Sequence, residues 1–342
     1  MVRTVLRAKS FWRNRSVLVT GGGGFIGSWL SHDLALLGAR VVVLDIKNSF
    51  PYLGETQSAV LGKCTFVKGD IRDETVLRAL FKKYLFETTF HLAARAIVED
   101  VLAEPEESLD TNIRGAWRVL EAFRTLGPKS GHVVVASSDK AYGTHKTLPY
   151  REDFSLRGSG HPYDCSKSCA DSVAQMYARV YRVPVCIMRC GNVYGGGDVH
   201  FTRLIPGTIR SLLREEGVTL RGNGKHKRDF LYIRDAVSAY MRAAEAMHAR
   251  KKDVHGEAFN FGNGAPVSVL AVVRLVMQLM KKNHLKPTIL SRDRHEIKDQ
   301  YLDARKAKKI LHWGPEYTLE NGLKETIAWY REFLSHDKAD VI

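Results

Sequence analysis

The stretch VLVTGGGGFIGSWL, residues 17–30, runs from an apolar segment through four glycines into a second apolar segment. Gly21, Gly24 and Gly27 follow the pattern G-x-x-G-x-x-G, a variant of the fingerprint that joins a β-strand to a helix in dinucleotide-binding folds. Glycines at these positions let the turn close, let backbone amides approach a pyrophosphate and let the helix pack on the strand. The stretch therefore predicts a phosphate-binding turn, with Phe25 and Ile26 beside it.

The order of strands and helices predicts the fold class. Apolar strands alternate with helix-period segments through the first half of the chain, which is typical of a parallel sheet wrapped by crossover helices. We expect an α/β protein with a Rossmann-type doubly wound parallel sheet and a smaller, partly interleaved C-terminal substrate lobe. The predicted strands span 16–20, 41–45, 64–70, 88–93, 132–137 and 185–190, with amphipathic helices around 104–125 and 163–181.

The second half predicts a return of the chain to the sheet. Residues 228–247 have the pattern of a strand followed by a helix, which we expect to rejoin the first lobe. The NAD-binding domain is accordingly assigned to 1–191 together with 229–261, and the nucleotide-sugar-binding lobe to 192–228 and 262–342.

The acidic residue that ends the second predicted strand indicates which cofactor binds. Asp45 lies 24 residues after Gly21, where a carboxylate binds the adenosine ribose of NAD and repels the 2′-phosphate of NADP. Lys47 lies close by and would attract that phosphate, which weakens the preference. Asp70 and Ile71 follow the third predicted strand and are expected beside the adenine. The predicted cofactor is NAD.

Two further stretches carry the candidate catalytic groups. VVASSDKAYG (134–143) brings two hydroxyls, an acid and an amine to the end of a buried strand, and HPYDCSKSCAD (161–171) contains a Y-x-x-x-K pair on one helix face. A tyrosine with its ordinary pKa of about 10 is a weak base at neutral pH. We expect the nearby lysine and the positive nicotinamide ring to favour the phenolate. The candidate catalytic residues are Ser138, Asp139, Lys140, Tyr163 and Lys167.

Composition narrows the class of protein. The chain has 342 residues, 44% of them hydrophobic, and a formal net charge of +15. Its basic residues are scattered and join no nucleic-acid-binding module, so we expect no nucleic-acid partner. No apolar run approaches the length of a membrane span, and the basic N-terminus lacks the apolar stretch of a signal peptide. These features, with an odd number of cysteines, predict a cytoplasmic protein that does not associate with membranes.

The cysteines also bear on metal binding. Cys165 and Cys169 lie one helical turn apart, a spacing that could suit a metal ion. They have no His or Asp partner at ligand spacing, so we expect buried thiols and no metal.

Together these motifs resemble the extended short-chain dehydrogenase/reductase family, whose members mostly modify nucleotide sugars. The likeness rests on the glycine turn, Asp45, HLAA (91–94), the serine-bearing strand end and the Y-x-x-x-K pair, and it runs nearly from end to end. It implies that Ser138 hydrogen-bonds the reacting sugar hydroxyl, that Tyr163 removes its proton, and that Lys167 holds Tyr163 and the nicotinamide ribose. It also places Leu92, Ala93 and Ala94 at the cofactor, and implies a homodimer that pairs through the helices near 104–125 and 163–181.

The resemblance further implies a nucleotide-diphosphate sugar as substrate. RCGNVYGGGD (189–198) is similar to the family's R-x-x-N-x-Y-G segment, whose asparagine lies against the substrate diphosphate. Two arginines match positions that grip the nucleotide end, and guanidinium groups suit phosphate. A further asparagine matches a position that faces the active-site region. The implied substrate-binding residues are Asn112, Asn192, Arg203 and Arg228.

The residues after the active-site serine indicate the reaction. Family 4-epimerases typically carry small residues there, and dehydratases of dTDP-glucose carry Asp-Glu. The Asp-Lys order in this chain resembles the 4,6-dehydratases of CDP-glucose. GGGGFIG departs from those enzymes, which usually have His and Thr inside the loop and Lys before its last glycine, so the nucleotide stays open. We expect a 4,6-dehydratase in which Lys140 removes the C5 proton and Asp139 protonates the departing C6 hydroxyl.

Three alternatives stay open at this point. Asp139 and Lys140 could form a salt bridge that braces the loop. The chain could be a nucleotide-sugar 4-epimerase, which conserves the mass of its substrate whereas a dehydratase loses one water. It could also be an NAD-binding regulatory protein without catalysis, although such a protein has no need for Ser138, Tyr163 and Lys167.

Overall fold

A parallel seven-stranded sheet lies at the centre of the structure, a computed structural model that describes residues 10–249, 251–291 and 297–336. The strands, in chain order, are β1 (Ser16–Thr20), β2 (Arg40–Asp45), β3 (Thr65–Lys68), β4 (Thr88–His91), β5 (His132–Ser138), β6 (Val185–Cys190), β7 (Asn192–Tyr194), β8 (Thr219–Leu220), β9 (Lys227–Arg228), β10 (Phe230–Tyr232), β11 (Glu257–Phe261), β12 (Val267–Ser268) and β13 (Thr288–Ile289). The main sheet has the order β11-β6-β5-β4-β1-β2-β3. The predicted α/β class and the Rossmann-type sheet are confirmed.

Helices cover both faces of this sheet. They are α1 (Phe25–Leu36), α2 (Glu55–Leu61), α3 (Glu74–Tyr84), α4 (Val98–Ala103), α5 (Pro105–Leu109), α6 (Gly115–Leu126), α7 (Pro162–Tyr181), α8 (Leu204–Leu213), α9 (Ile233–Ala249), α10 (Lys251–Val254), α11 (Val269–Met280), α12 (Arg305–Leu311) and α13 (Leu319–His336). Local sequence explains where the helix that carries the Y-x-x-x-K pair begins. His161 accepts a hydrogen bond from the Tyr163 amide through its ring, and Pro162 occupies the first turn, where its missing N–H costs nothing.

The strands alternate their side chains between two apolar layers. Val17 and Val19 of β1 pack with α1 and α9 on one face, whereas Leu18 packs with α3, α6 and α7 on the other. Both faces are buried, as expected for parallel strands that read as continuous apolar runs. The first layer continues without a break to Ile209 of α8 and Tyr330 of α13. The predicted division into two lobes stays a prediction, since residues of both share this core.

Two predicted elements differ in the structure. The strand predicted to return to the sheet, β10, pairs with β7 in a separate two-stranded ladder, and the seventh main-sheet strand is β11, parallel to β6. The helix predicted around 104–125 is divided into α5, a π-helical turn at Asp110–Arg114 and α6. Such a turn inserts an extra residue that re-aims side chains, and here it carries Asn112.

No helix in the described part of the chain is long and apolar enough to cross a membrane. Most of the basic N-terminal segment that bears on the signal-peptide prediction falls on residues 1–9, which lie outside the described residues.

Candidate active site

The carboxyl ends of the parallel strands open into one large cleft. Its volume is about 1640 Å³. Residues at the ends of β1 to β6, residues of α8 and residues of the segment after α8 line it. Ligands of doubly wound sheets bind at this edge. Every predicted site residue except Asn112 lines the cleft. The predicted residues form part of the wall, and many further residues complete it.

The glycine turn at the end of β1 is packed so closely that side chains are excluded. A Cβ added to Gly27 would lie 2.2 Å from the carbonyl oxygen of Gly21, and one added to Gly21 would lie 2.6 Å from Ala93. Gly21 also adopts a φ of +72°, which residues with a Cβ rarely reach. Gly24 is the N-cap residue of α1 and has no side chain that could accept a hydrogen bond. The backbone amides in the first turn of α1 therefore face the cleft without a side-chain cap. This cradle fits a dinucleotide pyrophosphate.

The two acidic residues predicted at the adenosine end both accept hydrogen bonds from other groups of the protein. Asp45 accepts hydrogen bonds from the amides of Gly23 and Lys47, each at 3.0 Å. These bonds hold the carboxylate at the mouth of the turn and leave further lone pairs for ribose hydroxyls. Asp70 is held by Arg72 at 2.7 Å, and this contact is the main cause that lowers the pKa of Asp70.

The two serines at the end of β5 point to opposite sides, as successive residues of a strand do. Ser137 donates a 2.7 Å hydrogen bond to Asp171, behind the cleft. Ser138 lines the cleft, donates to Asp139 at 3.1 Å and accepts from the Lys140 amide at 3.2 Å. It thereby caps the short 3₁₀ turn Asp139–Tyr142. Both serines contribute to the cleft lining, but the Ser137 hydroxyl is bound to Asp171, which leaves the Ser138 hydroxyl as the one of the two that faces a ligand.

Asp139 is a buried acid with spare hydrogen-bonding capacity. Only 2% of it is exposed, and its Oδ2 has no hydrogen-bond partner among the described residues. Burial raises the pKa of Asp139 to about 6, against the opposing effects of Lys140 and Ser138. A carboxyl in this state is partly protonated near neutral pH and is suited to proton donation.

Tyr163 and Lys167 face the cleft from the first turns of α7. Burial raises the pKa of Tyr163 to about 12, although Arg203 and a hydrogen bond with Ser138 act in the opposite direction. In the protein without cofactor, desolvation of the phenol decides the direction of this shift. The expectation that Lys167 and the nicotinamide ring together favour the phenolate concerns the site with cofactor bound and stays a prediction. Lys167 donates to the Ala136 carbonyl at 3.2 Å, and burial lowers its pKa to about 8.

The predicted substrate residues fall into two groups. Arg203 lines the cleft and pairs with Asp198 at 2.9 Å, while its guanidinium lowers the pKa of Tyr163, which places it near the reacting end. Asn192 lines the cleft and donates to the Asp229 carbonyl at 3.3 Å. Arg228 also lines the cleft, but its guanidinium donates to backbone carbonyls of the 297–298 segment at 2.7 and 2.6 Å.

Asn112 is not brought to the cleft. It is 3% exposed, its amide oxygen accepts from the Arg95 amide at 2.8 Å, and its amide nitrogen donates to the Arg95 carbonyl and to Ser166. The π-helical turn aims the side chain at the loop after β4, which it clamps to α7. Asn112 therefore shapes the cleft from behind, and the prediction that it contacts substrate has no support from this geometry.

Sequence analysis missed several residues that hold the site together. Arg189, the penultimate residue of β6, pairs with Asp171 of α7 behind the cleft at 2.9 Å. The signal was available, since a lone arginine in the apolar strand VCIMRC requires a buried acidic partner. Arg72 joins Asp70 to Glu107 and Asp110 at 2.9 and 3.1 Å, and so ties the end of β3 to the π-helical region.

The cysteines carry free thiols, including Cys165 and Cys169, which are half-buried. In the described part of the chain no group of three or more His, Cys, Asp or Glu side chains is placed to hold a metal ion.

Comparison with known proteins gives the family. The profile of the family described as GDP-mannose 4,6 dehydratase matches residues 18–326. The chain is 30% identical over 324 residues to the UDP-glucuronate 4-epimerase of Thermodesulfobacterium geofontis, covering 92% of this chain and 96% of that protein. It is also 30% identical over 332 residues to the dTDP-glucose 4,6-dehydratase of Mycolicibacterium smegmatis, covering 92% and 93%.

A solved structure supports the same conclusion. The crystal structure of dTDP-glucose 4,6-dehydratase from Bacillus anthracis in complex with NAD superimposes with a TM-score of 0.79 at 27% identity, covering 93% of this chain and 97% of that one. The chain belongs to the GDP-mannose 4,6 dehydratase family, within the nucleotide-sugar branch of the extended short-chain dehydrogenases/reductases.

Proposed function

We propose that the protein is an NAD-dependent nucleotide-sugar 4,6-dehydratase that releases a 4-keto-6-deoxy sugar nucleotide. The observation that carries this proposal is Asp139: a buried carboxyl with an unpartnered oxygen and a pKa raised by burial to about 6, beside Ser138 in the cleft wall. Oxidation at C4 needs no such proton donor. Elimination of the C6 hydroxyl does, because hydroxide is a poor leaving group until it is protonated.

The glycine cradle, Asp45 and the cleft beside Tyr163 would hold NAD, the cofactor present in the Bacillus anthracis relative. When bound, NAD would supply the hydride acceptor at C4 of the sugar and the hydride donor at C6. Its positive ring would add to the effect of Arg203, whose charge already favours the phenolate of Tyr163.

The first step belongs to Tyr163, Ser138 and Lys167. Tyr163 takes the proton of the C4 hydroxyl, while Ser138, already hydrogen-bonded with Tyr163, is placed to orient that hydroxyl. Lys167, with a pKa of about 8, is mainly protonated at neutral pH and stabilises the phenolate from one helical turn away. The sugar now carries a ketone at C4, which acidifies the neighbouring C5 proton.

The second step belongs to Asp139 and Lys140. Lys140 removes the C5 proton, and Asp139 gives its proton to the C6 hydroxyl, which leaves as water. Lys140 then returns a proton to C5. Both groups follow Ser138 directly, so they face the sugar that Tyr163 has positioned. The net change is the loss of one water from the hexose.

The substrate we propose is a nucleotide-diphosphate hexose, with CDP-glucose as the first candidate because of the Ser138-Asp139-Lys140 order. Arg203 and Asn192 line the cleft where the diphosphate would lie, and Arg228 would join them by exchanging backbone carbonyls for phosphate oxygens. The homodimer predicted through the helices near 104–125 and 163–181 stays a prediction.

A second candidate function is nucleotide-sugar 4-epimerisation, which the likeness to UDP-glucuronate 4-epimerases favours. It would use Ser138, Tyr163 and Lys167 and leave Asp139 and Lys140 as a loop brace. The mass of the product separates the two reactions, because epimerisation conserves mass.

The wild-type protein is expected to bind NAD at least about tenfold more tightly than NADP, a difference of roughly 1.4 kcal/mol, because Asp45 repels a 2′-phosphate. Titration calorimetry of both cofactors measures it, and Asp45→Ser should narrow the difference. Glu320→Gln, which removes an exposed carboxylate at the start of α13, is the matched control. Equal affinities in the wild type would show that Asp45 does not read the ribose.

Tyr163→Phe is expected to fold and to bind cofactor while C4 oxidation falls by about 10²–10⁴-fold, the contribution typical of general base catalysis. The rate is read from reduction of bound NAD in a single turnover with a nucleotide-sugar panel. Tyr181→Phe, a half-exposed tyrosine at the end of the same helix, should leave the rate unchanged. A Tyr163→Phe variant that keeps most of the wild-type rate would rule Tyr163 out as the base.

Lys140→Ala is expected to oxidise C4 and then stop at the 4-keto hexose, because no group abstracts the C5 proton. Bound NADH should accumulate, and deuterium from heavy water should fail to enter C5, as mass spectrometry of the sugar would show. Lys146→Ala, on the exposed loop that follows, is the control.

The loop-brace alternative predicts a different result for Lys140→Ala, namely a modest loss of stability with C5 exchange intact. Wild-type protein that turns over a sugar nucleotide without any C5 exchange would contradict the dehydratase proposal.

A further inference from the structure

A continuous chain of buried hydrogen bonds lies behind the catalytic wall of the cleft. Asp171 accepts from Ser137 at 2.7 Å and from the Arg189 guanidinium at 2.9 and 3.0 Å. Arg189 also donates to the Tyr142 hydroxyl at 2.8 Å, and that hydroxyl donates to Asn260 at 2.7 Å. Five segments are joined in this way: the end of β5, the 3₁₀ turn after it, α7, β6 and β11.

Stability alone does not explain such an arrangement. The side chains of Arg189 and Asp171 are 2% and 0% exposed. Removing two charges from water costs several kcal/mol per ion, and apolar residues of similar volume often serve stability as well or better. A buried pair with this many satisfied bonds is better suited to fixing relative positions than to raising the free energy of unfolding.

The network includes residues of both elements that carry the proposed catalytic groups, α7 and the 3₁₀ turn. Asp171 lies one and two helical turns beyond Lys167 and Tyr163 on the same face of α7. Tyr142 ends the turn that begins with Asp139 and Lys140. Arg189 therefore binds Asp171 in the helix of the C4 base and also Tyr142 in the turn that begins with the acid and the amine.

The C-terminal end of the 3₁₀ turn is also fixed by hydrogen bonds and ring contacts. Tyr150 donates to the Gly143 carbonyl at 2.6 Å, and its ring lies 4.9 Å from that of Tyr142. Asn260, which accepts from Tyr142, donates in turn to the Tyr150 carbonyl at 3.0 Å. The turn thus has fixed points at Ser138, Tyr142 and Gly143, and the Tyr142 hydroxyl connects it through Arg189 to Asp171 of α7.

We propose that Tyr142, Arg189 and Asp171 are positioning residues that hold Asp139 and Lys140 in register with Tyr163, so that C4 oxidation and elimination act on one sugar without rearrangement between them. The inference rests on the proposed dehydratase function. It assigns no contact with substrate to these three residues. They act through the Asp139–Tyr142 turn, which carries the acid and the amine. Loss of the hydrogen bond between Tyr142 and Arg189 should therefore slow water elimination more than C4 oxidation.

Tyr142→Phe tests this with little disturbance of the core. The ring that packs on Tyr150 is kept, Arg189 still lies 4.8 Å above it, and the guanidinium retains an acceptor in the Glu152 carbonyl at 3.3 Å. Only the hydroxyl bridge between Arg189 and Asn260 is lost. Tyr177→Phe is the matched control, because that buried tyrosine of α7 donates to Glu121 outside the network.

The expected result is a split between the two steps. In single turnovers Tyr142→Phe should keep KM and the rate of C4 oxidation within about twofold, while water loss slows by about ten- to a hundredfold, the size that a misplacement near 1 Å produces. NADH should accumulate and the 4-keto hexose should be released. Tyr177→Phe should show the wild-type ratio of the two rates.

Other outcomes overturn the inference. An unchanged ratio of water loss to C4 oxidation in Tyr142→Phe, with or without a lower Tm, contradicts it. If that variant does not fold, Ser137→Ala, which removes one bond to Asp171, must shift the ratio in the same direction, and a wild-type ratio there contradicts it too. A wild type that oxidises C4 but never loses water contradicts the proposed function and this inference with it.

Discussion

The contact between Gly27 and the carbonyl oxygen of Gly21 is the constraint on which the rest of the site depends. A Cβ at Gly27 would approach that oxygen to 2.2 Å, and one at Gly21 would approach the backbone of Ala93 to 2.6 Å. Without side chains there, α1 starts directly at the end of β1, and β4 can end beside it. The remaining parallel strands then bring their carboxyl ends to the same edge, where Asp45, Ser138 and the first turns of α7 meet.

Burial shifts the pKa values of three groups in the site, and each shift favours the uncharged form of its group. It raises the pKa of Tyr163 to about 12 and of Asp139 to about 6, and it lowers that of Lys167 to about 8. Each shift favours the neutral form, since the cleft wall solvates charge poorly. In the proposed reaction the phenol would act as a base with a positive charge bound beside it, and the carboxyl would act as the proton donor. This asymmetry matches a reaction that first removes a proton at C4 and then donates one at C6.

Sequence patterns predicted what depends on local spacing. The glycine turn, Asp45 and the Tyr163–Lys167 pair follow from their spacing along the chain, because each lies in or beside one strand–helix unit. Patterns did not predict the pairing of β10 with β7 or the π-helical turn that directs Asn112 away from the cleft, since these depend on contacts distant in sequence. Patterns also did not show how deeply the phenol of Tyr163 is desolvated, because periodicity places the lysine beside it but carries no information on burial. Arg189 was missed although its place in an apolar strand called for a partner.

The fate of the C4 hydrogen distinguishes a 4,6-dehydratase from a 4-epimerase. A nucleotide hexose that carries deuterium at C4 is converted by the wild-type protein, and the sugar is analysed by mass spectrometry and NMR. A 4,6-dehydratase moves the label to C6 of a product that is lighter by one water. Deuterium recovered at C4 of a product of unchanged mass would show that the ketone is reduced where it formed, and would contradict the account.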